Sequence, residues 1–139
     1  AEVAGVSGNA VAGGLFLQIF SNNLIIFSGI LALSAVIGSA GAFILVWNAS
    51  VLGRFFASLM RDLTGLELFT GSSEAASPLA YVPHASLEMS GFILAGVSGS
   101  MISAAVYRRH FDKATWVSVA KLTGIGLLCL LAGALLVAA

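Results

Sequence analysis

Charge is what this sequence has least of. Only 9% of its 139 residues are Asp, Glu, Lys or Arg, against roughly a quarter in an ordinary soluble domain. None falls between Val3 and Gly53, and none between Leu122 and the C-terminal residue. Six basic residues balance six acidic ones, with no basic stripe of the kind nucleic acid selects, so no nucleic-acid partner is expected. There is a single cysteine, Cys129, in an apolar run. It reads as an inert buried thiol, and a disulfide framework is excluded. Residues 1–14 carry no basic stretch ahead of an apolar one, so they do not read as a signal peptide. Catalytic signatures are also missing. There is no Gly-x-Ser-x-Gly, no His-Glu-x-x-His and no phosphate-cradling loop, and an enzyme is not expected.

What the chain does have is hydrophobic length. It is 59% hydrophobic, with a mean hydropathy of +1.04, and 139 residues cannot bury that much apolar surface in one soluble core. Uncharged apolar runs of 18 or more residues point to transmembrane helices. The expectation is therefore an all-α, polytopic transmembrane helical bundle forming one membrane domain over residues 1–139.

Residues 1–14 are Gly-, Ala- and Val-rich and read as a lead or the end of an upstream helix. Residues 15–23 look amphipathic and suited to the membrane interface. A first span is expected over 24–47, where Ser34, Gly38 and Ala42 form a small-xxx-small row and Trp47 would be an interfacial anchor. Around 54–69, Arg54, Arg61, Asp62 and Glu67 interrupt apolar residues at helical spacing. This predicts an interfacial or re-entrant amphipathic helix. Residues 70–78 read as a turn-rich loop.

The segment the rest is organised around is 83–107. Pro83 sits where a missing N–H costs a helix nothing, and an apolar run of membrane-spanning length follows. Gly91, Ala95, Gly99 and Ser103 recur at every fourth position, a smooth face that permits close helix approach. A last span is expected over 115–137. The loop between these spans holds Arg108, Arg109, Lys113 and Lys121, against Arg54 and Arg61 in 48–82. The basic excess places the former loop in the cytoplasm, with lead and tail on opposite faces.

The polar residues inside these runs are the candidate site. Glu88 lies on the second turn of its helix, where a carboxylate is costly and seeks a partner in the protein interior. His84 is four residues earlier and shares its helix face. Two ligands on one helix are too few for zinc, so no metal and no cofactor is expected. Asn22, Asn23 and Asn48 bracket the first run, either as hydrogen-bond partners for Glu88 or His84 or as helix caps. Glu88 reads as a hydrogen-bonded carboxyl tying helices together. The alternative is a proton or cation site, but a relay needs several polar groups in series.

Two stretches carry a resemblance. One runs from Phe20-Ser21-Asn22-Asn23-Leu24 to Trp47-Asn48-Ala49-Ser50-Val51-Leu52-Gly53. The other is Pro83-His84-Ala85-Ser86-Leu87-Glu88, followed by Ala95-Gly96-Val97-Ser98-Gly99. Together they resemble the stage II sporulation protein M (SpoIIM) family of multi-pass membrane proteins over roughly residues 16–138. Pro83, His84 and Glu88 match its most specific motif. Ala49 and Ala85 stand where the family usually has glycine, and the resemblance implies a further span ahead of Ala1.

The family's namesake is a scaffold that anchors cell-wall-degrading partners at the membrane during forespore engulfment. The resemblance therefore implies a non-enzymatic scaffold or assembly component in the cell (plasma) membrane. Its expected partners are membrane lipid and other membrane or membrane-associated proteins, with self-association into a homo-oligomer also open. The alternative function is a transport component using Glu88 as a coupling carboxylate.

Overall fold

A computed structural model describes residues 2–64, 81–109 and 112–138. Four helices are described: α1 (Glu2–Ile37), α2 (Gly41–Thr64), α3 (Tyr81–Arg108) and α4 (Lys113–Ala138). Among the described residues there is no strand. Three segments among the described residues are long and apolar enough to cross a membrane: Gly13–Ile37, Val82–Arg108 and Lys113–Val137. Each presents large apolar side chains outward, such as Ile25 on α1, Ile93 on α3 and Leu128 on α4.

The helix boundaries have local causes. Gly38 adopts φ +68°, the left-handed conformation that commonly ends a helix and that glycine takes without Cβ strain. Ser100 of α3 supports this end, its Oγ lying 3.1 Å from the Gly38 carbonyl oxygen. The chain turns within three residues and starts α2 with tight bonds from Ala42 N to Ser39 O and from Phe43 N to Ala40 O. Pro83 falls in the first turn of α3, where the backbone N–H has no intrahelical acceptor in any case. Asp112 caps α4, its carboxylate accepting from the backbone N–H and the hydroxyl of Thr115, the geometry expected of an N-cap aspartate.

The core is where α1, α3 and α4 meet. Phe27 and Ile30 of α1, Phe92 and Ala95 of α3 and Leu130 of α4 form one buried cluster. Glycines bring the backbones together. A Cβ on Gly91 would stand 2.9 Å from the Gly126 carbonyl oxygen, and one on Gly99 would stand 2.9 Å from the Ala35 nitrogen. Contacts ascend together along α1 and α3, from Asn23 with Glu88 to Gly38 with Ser100, so these helices run parallel. His84 meets Gly133 while Gly91 meets Gly126, so α4 runs antiparallel to α3. The second helix folds back beside both, Leu45 approaching Gly96 and Asn48 reaching the level of Glu88.

Several sequence expectations change. The run 24–47 is not one span. It is divided at Gly38, and α1 extends back through residues 15–23, which are continuous helix instead of an interfacial segment. Ser34, Gly38 and Ala42 are consequently not one helix face. Ser34 is buried against the Gly99 backbone, Gly38 forms the turn and Ala42 is exposed on α2. Trp47 lies along α2 and is 68% exposed, between residues level with Gly96 and Glu88, not at the end of a span. The amphipathic helix expected at 54–69 begins at Gly41 and is described to Thr64. Residues 65–69 of that segment and the 70–78 loop lie outside the described residues. The reversal at Gly38 also changes the chain path. Leu15 and Gln18 share a groove with His84, as Gly133 shares a bond with it. The start of α1 and the end of α4 therefore lie at the same end of the bundle, not on opposite faces. Segments 83–107 and 115–137 fall within α3 and α4.

Candidate functional site

Three helices converge on Glu88. Asn23 of α1 is buried and its amide Nδ2 donates to Glu88 Oε1. His84, one turn before Glu88 on α3, places Nε2 3.3 Å from the same oxygen. The other ring nitrogen, Nδ1, is 2.8 Å from the carbonyl oxygen of Gly133 on α4. The chain Asn23–Glu88–His84–Gly133 thus links α1, α3 and α4 through side chains near the end of the bundle where α3 begins.

Donor and acceptor rules constrain the protons. The Gly133 carbonyl can only accept, so His84 Nδ1 carries a hydrogen. Its Nε2 then faces Glu88, and one proton on that line satisfies both groups. Imidazolium with carboxylate and imidazole with carboxylic acid both give a pair of zero net charge, which suits a site 16–17% exposed within the bundle. The pair also packs on α4 at position 133. A Cβ there would lie 3.5 Å from His84 Nδ1 and 3.4 Å from Glu88 Cγ, ordinary contact distances, so both side chains lie directly against the α4 backbone.

Two cavities touch the pair from opposite sides. One, about 340 Å³, lies toward α2 and is lined by Asn48, Val51, Leu52, Met89 and Phe92 besides His84 and Glu88. The other, about 480 Å³, lies toward α1 and is lined by Leu15, Gln18, Ile19, Asn22 and Asn23 with the same pair.

Sequence reasoning left Asn23 as either a partner of Glu88 or His84 or a helix cap, and the structure brings it to Glu88. Asn22, its neighbour, is exposed on the rim of the α1-side cavity. Asn48 lines the opposite cavity, and its amide donates back to Ile44 O at 3.4 Å, so it bonds its own helix and not Glu88. Pro83 is exposed at the helix start. On α3, Gly91 faces α4, Gly99 faces α1 and Ala95 is fully buried in the core between them, while Ser103 stands beside the Gly38 turn. Among the described residues no group of three His, Cys, Asp or Glu comes together. The partner that sequence reasoning missed is the Gly133 carbonyl. It is a backbone group, and no side-chain pattern announces it.

Neither the curated proteins nor the solved structures contain a match to the chain. The profile of the family described as stage II sporulation protein M matches residues 2–139. That match covers nearly the whole chain, the helices have membrane-crossing length, and Pro83, His84 and Glu88 stand together at the head of α3. The protein is a multi-pass membrane protein of the stage II sporulation protein M family.

Proposed function

We propose that the protein is a non-enzymatic scaffold, an assembly component that holds other proteins in a complex at the cell (plasma) membrane. The observation that carries this reading is how the intramembrane polar groups are used. Asn23, Glu88 and His84 bond to each other and to the α4 backbone, joining three helices whose backbones already touch at glycines. Such a clasp makes a fixed tripod. A rigid platform suits a protein whose task is to position partners, and partners rather than this chain would then carry out any chemistry.

The two cavities beside Glu88 favour one second reading, a transport component in which the His84–Glu88 pair exchanges a proton. Extraction of the protein from its own membrane in mild detergent, followed by native mass spectrometry, separates the two. A stoichiometric second protein supports the scaffold. A homo-oligomer or a monomer with nothing but lipid overturns it in favour of transport, in which case proton-coupled flux in liposomes is lost in Glu88→Gln.

A further inference from the structure

The α2 side of the bundle is built differently from the rest. Against α1 and α4, α3 makes backbone-close contact at Gly99 and Gly91. Against α2, the nearest approach at Gly96 is the tip of a side chain, Leu45 Cδ1, 3.3 Å from an added Cβ. Three cavities follow the α2–α3 seam. That beside His84 and Glu88 is about 340 Å³, the next about 490 Å³ and the last about 470 Å³. The first two share Leu52 and Met89, and the second and third share Leu45 and Ile93. They form one continuous groove.

We infer that this seam is a phospholipid site, with one acyl chain lying between α2 and α3 and the lipid phosphate held by Arg54. The groove walls are mainly apolar, with Leu45, Leu52, Met89, Phe92 and Ile93 among the lining residues. Water gains too few polar partners there, and wall atoms facing a gap lose their dispersion contacts. At membrane depth the surrounding solvent is hydrocarbon, and an acyl chain supplies those contacts.

Length agrees. The two cavities nearest the pair, from His84 to Ile93, follow nine residues of α3, about 14 Å at the helical rise, close to the ~15 Å of one leaflet's hydrocarbon, and the third carries the groove on to Ala104. The polar end is also in place. Gly53 lines the seam, and Arg54 follows it, exposed and without an ion pair to any described residue. A guanidinium matches phosphate oxygens in two-point geometry. Asn48 and the His84–Glu88 pair border the adjoining cavity, which shares Leu52 and Met89 with the one that Gly53 lines, and offer polar groups to the rest of the headgroup.

The test uses the full chain in liposomes containing either of two probes with the same photoreactive acyl chain, a phosphatidylglycerol or a diacylglycerol. Adducts are mapped by mass spectrometry. With the phosphatidylglycerol probe, adducts concentrate on Leu52, Met89 and Ile93. They fall at least fivefold in Ala49→Phe, which fills the groove, while labelling of exposed Leu128 and Leu135 on α4 is unchanged and reports an intact bundle. Arg54→Gln, which leaves the packing untouched, lowers seam labelling at least threefold for the phosphatidylglycerol probe and not for the diacylglycerol probe. Labelling spread evenly over all lipid-facing positions, or seam labelling that Ala49→Phe leaves intact, overturns the site. Equal effects of Arg54→Gln on both probes overturn the phosphate assignment.

Discussion

Replacing Glu88 in two ways separates a hydrogen-bonding role from a charge requirement. Glu88→Ala removes the acceptor of the Asn23 amide and the neighbour of His84 Nε2. Asn23 is 6% exposed, with only the edge of the α1-side cavity beside it, so it bears nearly the full penalty of an orphaned buried donor. His84 is 16% exposed on its side chain and borders two cavities, so hydration offsets its loss. One full orphan sets the expected cost of Glu88→Ala at about 1–3 kcal/mol.

Glu88→Gln keeps an oxygen for Asn23 and loses the contact with His84 Nε2, which faces that same oxygen. Its cost is about 0.6 kcal/mol, the average worth of one interhelical hydrogen bond within a membrane bundle. The assay is reversible unfolding in mixed micelles with rising dodecyl sulfate, followed by the fluorescence of Trp47 and Trp116. Pairing Asn23→Ala with Glu88→Ala in a double-mutant cycle isolates the link itself, and residues in direct contact couple by about 0.5–3 kcal/mol. Equal losses in Glu88→Gln and Glu88→Ala would refute the clasp and show that the site needs a formal charge. So would a cycle with zero coupling.

Two further substitutions probe the packing. Gly91→Ala would place a Cβ 2.9 Å from the Gly126 carbonyl oxygen and 3.0 Å from Leu130 Cδ2. The backbone oxygen cannot swing aside, so α3 and α4 separate, at a cost of about 1–3 kcal/mol typical of overpacking. The same unfolding assay on Gly124→Ala, where nothing lies within 4 Å, should show no loss. Ser98→Ala acts in the opposite sense. The Ser98 hydroxyl is fully buried and, among the described residues, without a hydrogen-bond partner, so removing it raises stability by about 1 kcal/mol in that titration.

Helix content was legible because membrane helices announce themselves by length and hydropathy, and α3 and α4 lie close to where those signals place them. The first half of the chain was not legible in the same way. From Leu24 to Trp47 the residues are uncharged and mostly apolar, broken only by single serines, and hydropathy cannot see a reversal made within such a run. The only local mark is Gly38, and a glycine at i+4 from Ser34 reads equally well as a packing residue. What decides is tertiary. Gly38 at φ +68° is held by Ser100 from α3, and Gly41 is buried against Ile30 and Ser34, so α2 returns along the face that α1 has just made. The topology changes with that one residue.

The site shows the same division between what side chains reveal and what packing adds. A lone carboxyl one turn after a histidine, at the head of an apolar helix, marked itself as needing partners. Asn23 was among the few side chains able to supply one. Asn22 and Asn48 met the same description and are used differently, because neighbouring positions on α1 point about 100° apart and α2 turns its amide back to Ile44. Placing Asn23 inward therefore places Asn22 on the rim of the groove. The register of α1 against α3 sets which amide is inside, and that register is fixed two turns further on, where Gly99 admits the backbone of Leu31–Ala35. Glycine packing and the polar clasp are thus one device. A side chain at Gly99 would displace α1, and with it the one amide that, among the described residues, reaches Glu88.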